Sequence, residues 1–545
     1  MKPYLQPLKQ HFPEIKQLKD FQQVSIEHLL EGKNQLTIVP TGKGKSLIFQ
    51  LAALAMPGMT IVVSPLIALM REQVKFLKEK GIYAEMLGGN FKQQRALLRS
   101  FSSNPPKLLY VSPERLQNFF FRAALKHSKT SIPLIAIDEA HSISQWGIQF
   151  RPEYDRIPSF LAFLKEIGQK PVLLGLTATL GQSAQADICK SFGILEEHVF
   201  IHNEIVREEL HLHFEQFEVA DETKKKDRIR ELLLDQRHQK ILIYFYQRRK
   251  CEKIANWINS KLDASGRHAD YFHAKRFNKD KDAVYKQFKA GTTNVLCATS
   301  AFGMGMNIPD IDTVIFYHLP FSVEEFYQMA GRAARKKDLY ADCYLLWSEK
   351  NFEHKRKKQI PEGQYGVEDF QKAFKRLGLA GQKGKEVFKQ WNDLIGQDLH
   401  HFKVLFEKHG VLQTIGELNG IPKDVQLKKP QPEWDLLLSK SKRHLDWIQL
   451  ADNGNRELQA VIDWVWQQEL KGNIKELDPD GKKIFYRSNY NSLPLSKVFA
   501  LAEEAEKITQ FRIEQINLLY QLVRSKDQSN DFIQKLLGPP LNSKS

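Results

Sequence analysis

Cysteine is scarce in this chain: there are four among 545 residues, Cys189, Cys251, Cys297 and Cys343, each more than forty residues from the next. No pair has the C-x₂₋₄-C spacing of a zinc site, and so thin a scatter excludes a disulfide-stapled framework. Buried free thiols are the expected state. Glycine has no fixed period, which excludes a collagen-like chain, and neither a repeat nor a low-complexity tract is present. The opening stretch MKPYLQPLKQHFPEIK lacks the apolar core of a secretory signal, so none is expected. One charge-free run, residues 46–70, is long enough to span a bilayer. Pro57-Gly58 divides it into a helical half (SLIFQLAALAM) and a β-rich half (TIVVSP), and the membrane reading is rejected.

The composition is that of a folded globular protein, with 42% apolar and 26% charged residues. The length predicts about three to five domains. Lys and Arg (80) outnumber Asp and Glu (64), and the net charge of +16 points toward a polyanionic partner. From about residue 34 to 180, short apolar runs alternate with charged helical stretches: QLTIVP, MTIVVSP, KLLYVSP, LIAIDEA and VLLGLTAT. Each run ends in Pro, Ser, Thr or Asp. That rhythm predicts βα units in a parallel sheet, with ligands outside the carboxyl ends of the strands. After a charged stretch at 206–240, partly helix and partly link, a second series follows: KILIYFY, HADYFHA, TNVLCATS, DTVIFYHLP and ADCYLLWS. Beyond 350 the strand rhythm stops and a mostly helical pattern takes over. The expected architecture is α/β, with domains at 1–206 and 207–350 followed by a mostly helical region at 351–545, in which a degenerate winged-helix-like accessory domain is the alternative reading.

Three clusters carry chemistry. PTGKGKS (40–46) lies between a strand and a helix, with Gly42 and Gly44 able to curl the backbone around a phosphate. Lys45 would reach the β and γ phosphates, and Ser46 would bind Mg²⁺. Val39 stands where the strict phosphate-loop pattern has its first glycine. The second cluster, LIAIDEAHSISQW, ends a strand in Asp138-Glu139, where Asp138 suits a hydrated Mg²⁺ and Glu139 is placed to activate water. The third, QMAGRAAR, spaces Arg332 and Arg335 three apart, on one face if helical, where they could neutralise a γ-phosphate across a cleft. Taken singly, these are a chance turn, two acids opening a helix and a solvated basic helix. Their order along the chain argues for one composite site.

That ordered set resembles the RecQ-type DNA helicases of superfamily 2. The matching stretches begin with LKDFQ (18–22), PTGKGKS (40–46), VVSPLIALMREQV (62–74), YVSPERL (110–116) and DEAH (138–141). They continue with SQWGIQFRPEY (144–154), LTATL (176–180), YQRRKCEKIA (246–255), YFHA (271–274), ATSAFGMGMNIPD (298–310) and YQMAGRAAR (327–335). The resemblance covers about the first 350 residues and implies two tandem RecA-like domains. It implies that Lys19 and Gln22 contact adenine, that Thr41, Gly42, Lys43, Gly44, Lys45 and Ser46 hold ATP, and that Asp138 and Ser46 serve Mg²⁺. Glu139 would then act on water, and Gln328, Arg332 and Arg335 would close the site. His141 and Thr177-Ala178-Thr179 would relay nucleotide state to DNA, and Trp146, Phe150 and Arg151 would touch a single strand, bases stacking on the two rings. The implied activity is ATP- and Mg²⁺-dependent 3′→5′ DNA unwinding by a cytoplasmic monomer, nucleoid-associated in a bacterium, with repair and recombination as settings.

The chain also departs from that pattern. Glu14-Ile15 replaces an upstream Gly-Tyr pair, and Lys19 replaces an arginine. Ile148-Gln149 replaces a His-Asp pair, and Ala334-Arg335-Lys336 replaces Gly-Arg-Asp. No cysteine follows Cys343, so the family's usual zinc module is expected to be absent. The stretch KKIFYRSNYNSLP (482–494) reads either as a hairpin with exposed aromatics or as a turn with core aromatics. A DNA-stimulated translocase that does not unwind, a nucleic-acid scaffold with a decayed motor, and an RNA substrate are the rival readings.

Overall fold

The computed structural model describes residues 2–538 apart from 41, 144–153, 155, 179, 203–204, 219–221, 274, 277, 301, 303–307, 391–392, 395–398, 419–420, 428–456, 481–482 and 526–527. Two parallel sheets dominate it. The first holds β1 (Gln35–Ile38), β2 (Thr60–Val63), β3 (Ala84–Met86), β4 (Leu108–Val111), β5 (Leu134–Asp138), β6 (Val172–Thr177) and β7 (Val199–Ile201), in the order β3-β4-β2-β5-β6-β1-β7. The central strands are buried on both faces, as strands sandwiched between helices must be, and their sequences are accordingly continuous apolar runs. The charge-free run 46–70 resolves into the helix Ser46–Ala55 and β2, turning at Gly58, whose φ is +97°.

The second sheet holds β8 (Leu210–Gln216), β9 (Ile241–Tyr244), β10 (Ala269–Phe272), β11 (Val295–Ala298), β12 (Thr313–Phe316) and β13 (Ala341–Trp347), in the order β10-β11-β9-β12-β13-β8. Among the described residues all its pairings are parallel, and β8 lies at one edge in register with β13 from Leu210 opposite Ala341. β8 falls in the stretch that the sequence assigns to helix and link. Its Leu210, Leu212 and Phe214 alternate with His and Glu, so only one face is apolar. Cys251, Cys297 and Cys343 are buried free thiols, and Cys189 is half-buried.

The C-terminal region is mostly helical, as its pattern suggests, with the helices Val367–Arg376, His400–Lys408, Leu458–Leu470, Leu495–Arg524 and Ser529–Leu537. Five short strands join them. β14 (Glu386–Gln390), β15 (Leu412–Leu418) and β18 (Lys483–Ser488) form a small antiparallel sheet, and β16 (Ile421–Leu427) pairs with β17 (Ile474–Asp480). Phe485 and Tyr486 on β18 are buried, so the aromatics of that stretch serve the core.

This region packs on both lobes. Trp466 is buried 6.0 Å from Phe120 of lobe 1, Lys126 pairs with Asp463 at 2.6 Å, and the Arg95 guanidinium pairs with Glu469. On lobe 2, the Tyr520 ring sits 5.0 Å from Phe352 and 6.3 Å from Trp347. One continuous apolar cluster runs through both lobes and includes Val461, Trp466, Ile516 and Leu519.

Candidate active site

The site forms where β1, β2, β5 and β6 end, on the carboxyl edge of the first sheet, facing a turn from the second. After β1 the chain passes through Gly42 (φ +84°) and Gly44 (φ +91°) before the helix beginning at Ser46. Those left-handed backbone angles suit glycine and would strain other residues. Gln22, 4% exposed, stitches this loop to the helix Asp20–Leu30: its Oε1 accepts from the Lys19 N–H at 3.0 Å and its Nε2 donates to the Gly44 carbonyl at 3.0 Å. The Lys19 ammonium donates to the Lys43 carbonyl at 3.1 Å. Both adenine candidates therefore brace the loop. Thr41 lies outside the described residues.

Lys45 Nζ donates to the Val39 carbonyl at 2.8 Å. Burial pulls the Lys45 pKa down, Glu139 and Asp138 push back, and Arg335 and Arg332 add to the depression. Five charged groups from two lobes thus act on one another at one point.

The acid pair is held with care. Ser64 Oγ donates to Asp138 Oδ2 at 3.3 Å, the Glu139 N–H donates to Asp138 Oδ1 at 3.1 Å, and the Tyr154 hydroxyl donates to the Asp138 carbonyl at 2.9 Å. Burial, followed by the neighbouring Glu139 charge, pushes Asp138 up to about 7. Glu139 goes the other way. Burial raises its pKa, but His141, Lys45, Arg332 and Arg335 together outweigh burial and hold it below the usual carboxylate value. Glu139 also sits at φ +53°, a strained angle for a side chain of its size, and strain of this kind gathers at functional sites. His141 Nδ1 lies 3.0 Å from Thr177 Oγ1 and 3.4 Å from Glu139 Oε2, linking the acid to the end of β6.

The arginines arrive differently from the helical expectation. The helix Val323–Ala330, capped where Ser322 Oγ accepts from the Glu325 N–H at 3.0 Å, stops before them. Arg332 and Arg335 stand in the turn that follows, with Ala334 at φ +51°, so a bent loop rather than a helix face brings them together. Arg332 is 7% exposed. Burial, with repulsion from Arg332 and Arg207, pulls Arg335 down to about 9. Gln328 is half-buried on the same helix.

Two buried atoms here have no hydrogen-bond partner: Glu139 Oε2 and Arg332 Nε. Buried polar atoms are rarely left so. An acceptor on one lobe and a donor on the other, both buried, fit a triphosphate and its attacking water. Ser46 and Asp138, hard oxygen donors flanking Lys45, fit Mg²⁺. Trp146, Phe150, Arg151 and Thr179 lie outside the described residues. Sequence reasoning missed Arg207, whose context (VREEL) resembles any charged link, and Ser64, one polar residue ending a buried strand.

The DEAD/DEAH box helicase family matches residues 19–188, and the helicase conserved C-terminal domain matches residues 224–337. An ATP-dependent DNA helicase RecQ of Pasteurella multocida (strain Pm70) is 36% identical over 328 residues, 60% of this chain and 49% of the relative. A probable ATP-dependent DNA helicase RecS of Bacillus subtilis (strain 168) is 37% identical over 320 residues, 58% of this chain and 62% of the relative. The chain spans about half the length of the RecQ relatives it matches first, 49%, 56% and 50%. Among solved structures, the DUF1998 helicase MrfA bound to DNA aligns with TM-score 0.51 at 15% identity, covering 64% of this chain and 49% of MrfA. A variant of S. cerevisiae Dbp5 bound to RNA and ADP BeF3 aligns with TM-score 0.50 at 17% identity, covering 64% of this chain and 88% of Dbp5. Those two likenesses establish the tandem RecA-like fold alone. Both helicase families are thus matched in order, and the chain is similar to the RecQ proteins, which share about a third of the aligned positions with it.

Proposed function

We propose that this chain is an ATP- and Mg²⁺-dependent DNA motor that tracks 3′→5′ along a single strand and separates duplex ahead of it. The reading divides the chain at 1–206, 207–350 and 351–545, and takes the working unit as a cytoplasmic monomer, nucleoid-associated in a bacterium. One observation carries it: Lys45, Asp138 and Glu139 on lobe 1 act electrostatically on Arg332 and Arg335 from lobe 2. The RecQ relatives, named as ATP-dependent DNA helicases, support the same substrates.

ATP would lie along the loop 40–46, with Lys19 and Gln22 at its adenine end and Lys45 on its phosphates. Ser46 and Asp138 would hold Mg²⁺, which supplies neutralisation of phosphate charge. Glu139, kept ionised by its cationic neighbours, accepts a proton from water aimed at the γ-phosphate. Arg332 and Arg335 stabilise the charge that gathers on that phosphate, so closure of the cleft and hydrolysis are coupled. Gln328 completes the second lobe's contribution. His141 passes the state of Glu139 to Thr177 and so toward the strand-binding segment, in which Trp146, Phe150 and Arg151 are the proposed contacts. Phosphate contacts make binding strongly salt-dependent.

A translocase that does not unwind is the second reading. It is favoured by the absence of any cysteine after Cys343, where the resemblance leads one to expect a zinc module. ATP turnover measured with single-stranded DNA, duplex and RNA, beside strand release from a 3′-tailed duplex, decides. Turnover stimulated by single strands with strand release is the expected result. Turnover without release selects the translocase, and no turnover with any nucleic acid refutes both.

A further inference from the structure

We propose that Arg207, in the link between the lobes, is a positioning residue that holds the Arg332/Arg335 turn in its phosphate-facing form, and that Gln534 of the C-terminal region anchors that link. The inference rests on the reading of Arg332 and Arg335 given above and adds two residues which that reading does not contain.

The helix Val323–Ala330 ends immediately before the turn, and its carbonyls at Tyr327, Met329 and Ala330 are taken by the N–H groups of Gly331, Arg332 and Ala333. Arg207 meets the carbonyls of the turn that follows. Its Nη1 donates to the Gly331 carbonyl at 3.2 Å and the Ala333 carbonyl at 3.1 Å, and its Nη2 donates to the Ala334 carbonyl. The fork geometry of a guanidinium allows this, whereas an ammonium, a single point of charge, cannot span three carbonyls so placed. A cation at a helix C-terminus is also favoured by the helix dipole. The Arg207 side chain is 10% exposed, and its Nε lies 3.6 Å from the Glu209 carboxylate.

What is held in this way is strained. Ala334 sits at φ +51°, and its carbonyl, one of the three that Arg207 grips, directly precedes Arg335. The far side is pinned by backbone bonds from Ala334 N–H to the Ile311 carbonyl at 2.9 Å and from Arg335 N–H to the Pro309 carbonyl at 3.1 Å. Without Arg207 the turn keeps these bonds and that of Arg335 Nε to the Gly331 carbonyl at 3.3 Å, but the Ala333 and Ala334 carbonyls lose the guanidinium that holds them, and the backbone of Ala334 can relax toward ordinary angles. That relaxation would swing Arg335 and Arg332 off the line to Glu139. The donors of Arg207 that meet these carbonyls are directed into the turn itself, which makes it a residue that acts through others.

The link is gripped in turn. Gln534 Oε1, on the helix Ser529–Leu537, accepts from the Ile205 N–H at 3.1 Å and the Val206 N–H at 3.3 Å. The Arg207 N–H donates to the Tyr327 hydroxyl at 2.6 Å. Three consecutive residues thus join the C-terminal region, the link and the arginine-bearing turn. Gln534 lies far outside the stretches matched by the two helicase families.

The test uses the full chain and compares Arg207→Lys, Arg207→Gln, Arg207→Ala, Gln534→Ala and Arg332→Ala in single-strand-stimulated ATP turnover. All three Arg207 variants are expected to lose about tenfold or more in kcat while KM for ATP and affinity for single-stranded DNA stay within about threefold, the split of a group that acts in the transition state. Arg207→Ala is expected to regain turnover on adding guanidinium chloride at constant ionic strength, a rescue that repair of general folding would not give. Gln534→Ala is expected to raise amide hydrogen exchange at 205–209 and to lower kcat by about threefold. Arg207 variants that keep parental kcat beside an inactive Arg332→Ala overturn the positioning role and leave the site reading standing. A loss of kcat accompanied by equal loss of ATP affinity, with no guanidinium rescue, overturns it too. Parental exchange and kcat in Gln534→Ala overturn the anchoring role. An Arg332→Ala variant with parental kcat refutes the site reading beneath the proposal.

Discussion

Lys355 should weaken the folded chain at acidic pH, and its removal should stabilise the protein. It opens the π-helical turn Lys355–Gln359, is 5% exposed, and its Nζ has no hydrogen-bond partner. The ammonium rests 3.3 Å from the centroid of Phe321 and 5.6 Å from that of Tyr246. Burial pulls its pKa down to about 7, with Glu325 partly resisting. The unfolded chain keeps the ordinary value of 10.5. Between those values the unfolded state binds one proton more than the folded state, so stability rises with pH across that window. Below it both states are protonated and the whole burial penalty is felt. At about 1.4 kcal/mol per pKa unit, the penalty is about 5 kcal/mol at pH 6, falling to about 2 kcal/mol at pH 9. The Phe321 ring offsets about 2 kcal/mol of the acidic figure, leaving about 3 kcal/mol. Lys355→Met keeps the volume and removes the charge. Its thermal unfolding midpoint should exceed the parent's by about 3 °C at pH 6, and the gain should shrink steadily toward pH 9. Lys225, pushed to about 8 by burial, titrates in both proteins and cancels from the difference. A gain that does not change with pH, or a loss at pH 6, would refute the reasoning.

Other perturbations follow from the site and its supports. Gly44→Ala places a methyl 2.8 Å from Gln22 Nε2 at a φ of +91°; strain of about 1–2 kcal/mol should raise KM for ATP about 5- to 30-fold, read by steady-state turnover. His141→Ala removes the contact with Thr177, so turnover without DNA should persist while stimulation by single-stranded DNA falls about tenfold or more; equal loss of both would show that His141 serves hydrolysis alone. Gly416→Val drives a side chain into the Phe119 ring, which lies 2.5 Å from a Cβ at that position. The small antiparallel sheet should lift from lobe 1, and limited proteolysis should then cut within 412–490 at protease levels that leave the parent intact.

Much of the two-lobed α/β fold was legible because its strands are buried on both faces. The ten runs read as strands correspond to β1, β2, β4, β5, β6, β9, β10, β11, β12 and β13. The strands that escaped notice, β3, β7 and β8, lie at sheet edges, where one exposed face breaks the apolar run. The phosphate loop and the acid pair could be read from local sequence, since glycines and carboxylates at a strand end have few other uses. The bend that unites Arg332 with Arg335 could not: their spacing fits a helix, and contacts from outside the segment, with Arg207 over a hundred residues earlier and with Pro309 and Ile311, select the strained turn instead. The C-terminal strands were hidden for a related reason. Lys483–Ser488 becomes central only by pairing with β14 and β15 from distant parts of the chain, and no local period announces such partners.

The way the C-terminal region is attached determines how the cleft can move. Its hold on lobe 1 is deep: Trp466 is buried against Phe120, and Arg95 and Glu469, 6% and 8% exposed at the side chain, pair out of solvent. Breaking a buried pair by removing one partner costs about 3–5 kcal/mol, because a charge is left behind. The hold on lobe 2 combines buried apolar contact at Ile516, Leu519 and Leu522 with solvent-exposed pairs such as Arg524–Glu349, which contribute at most about 1 kcal/mol. One helix of 30 residues, Leu495–Arg524, carries this contact and begins against the core of the C-terminal region itself, at Leu501, Ala505 and Ile508. It spans about 45 Å at the usual rise of an α-helix. Closing the cleft around ATP therefore cannot occur without either bending this helix or sliding its far end over lobe 2, and sliding over apolar surface with weak rim pairs is the lower barrier. The region then moves with lobe 1, and the hinge falls in the link at Ile205, Val206 and Arg207, where the grip of Gln534 adjoins that of Arg207 on the turn. Deleting the region would strip apolar surface from both lobes together with the Gln534 grip on that link, so point substitutions at its contacts, rather than truncation, separate its mechanical part from its structural one.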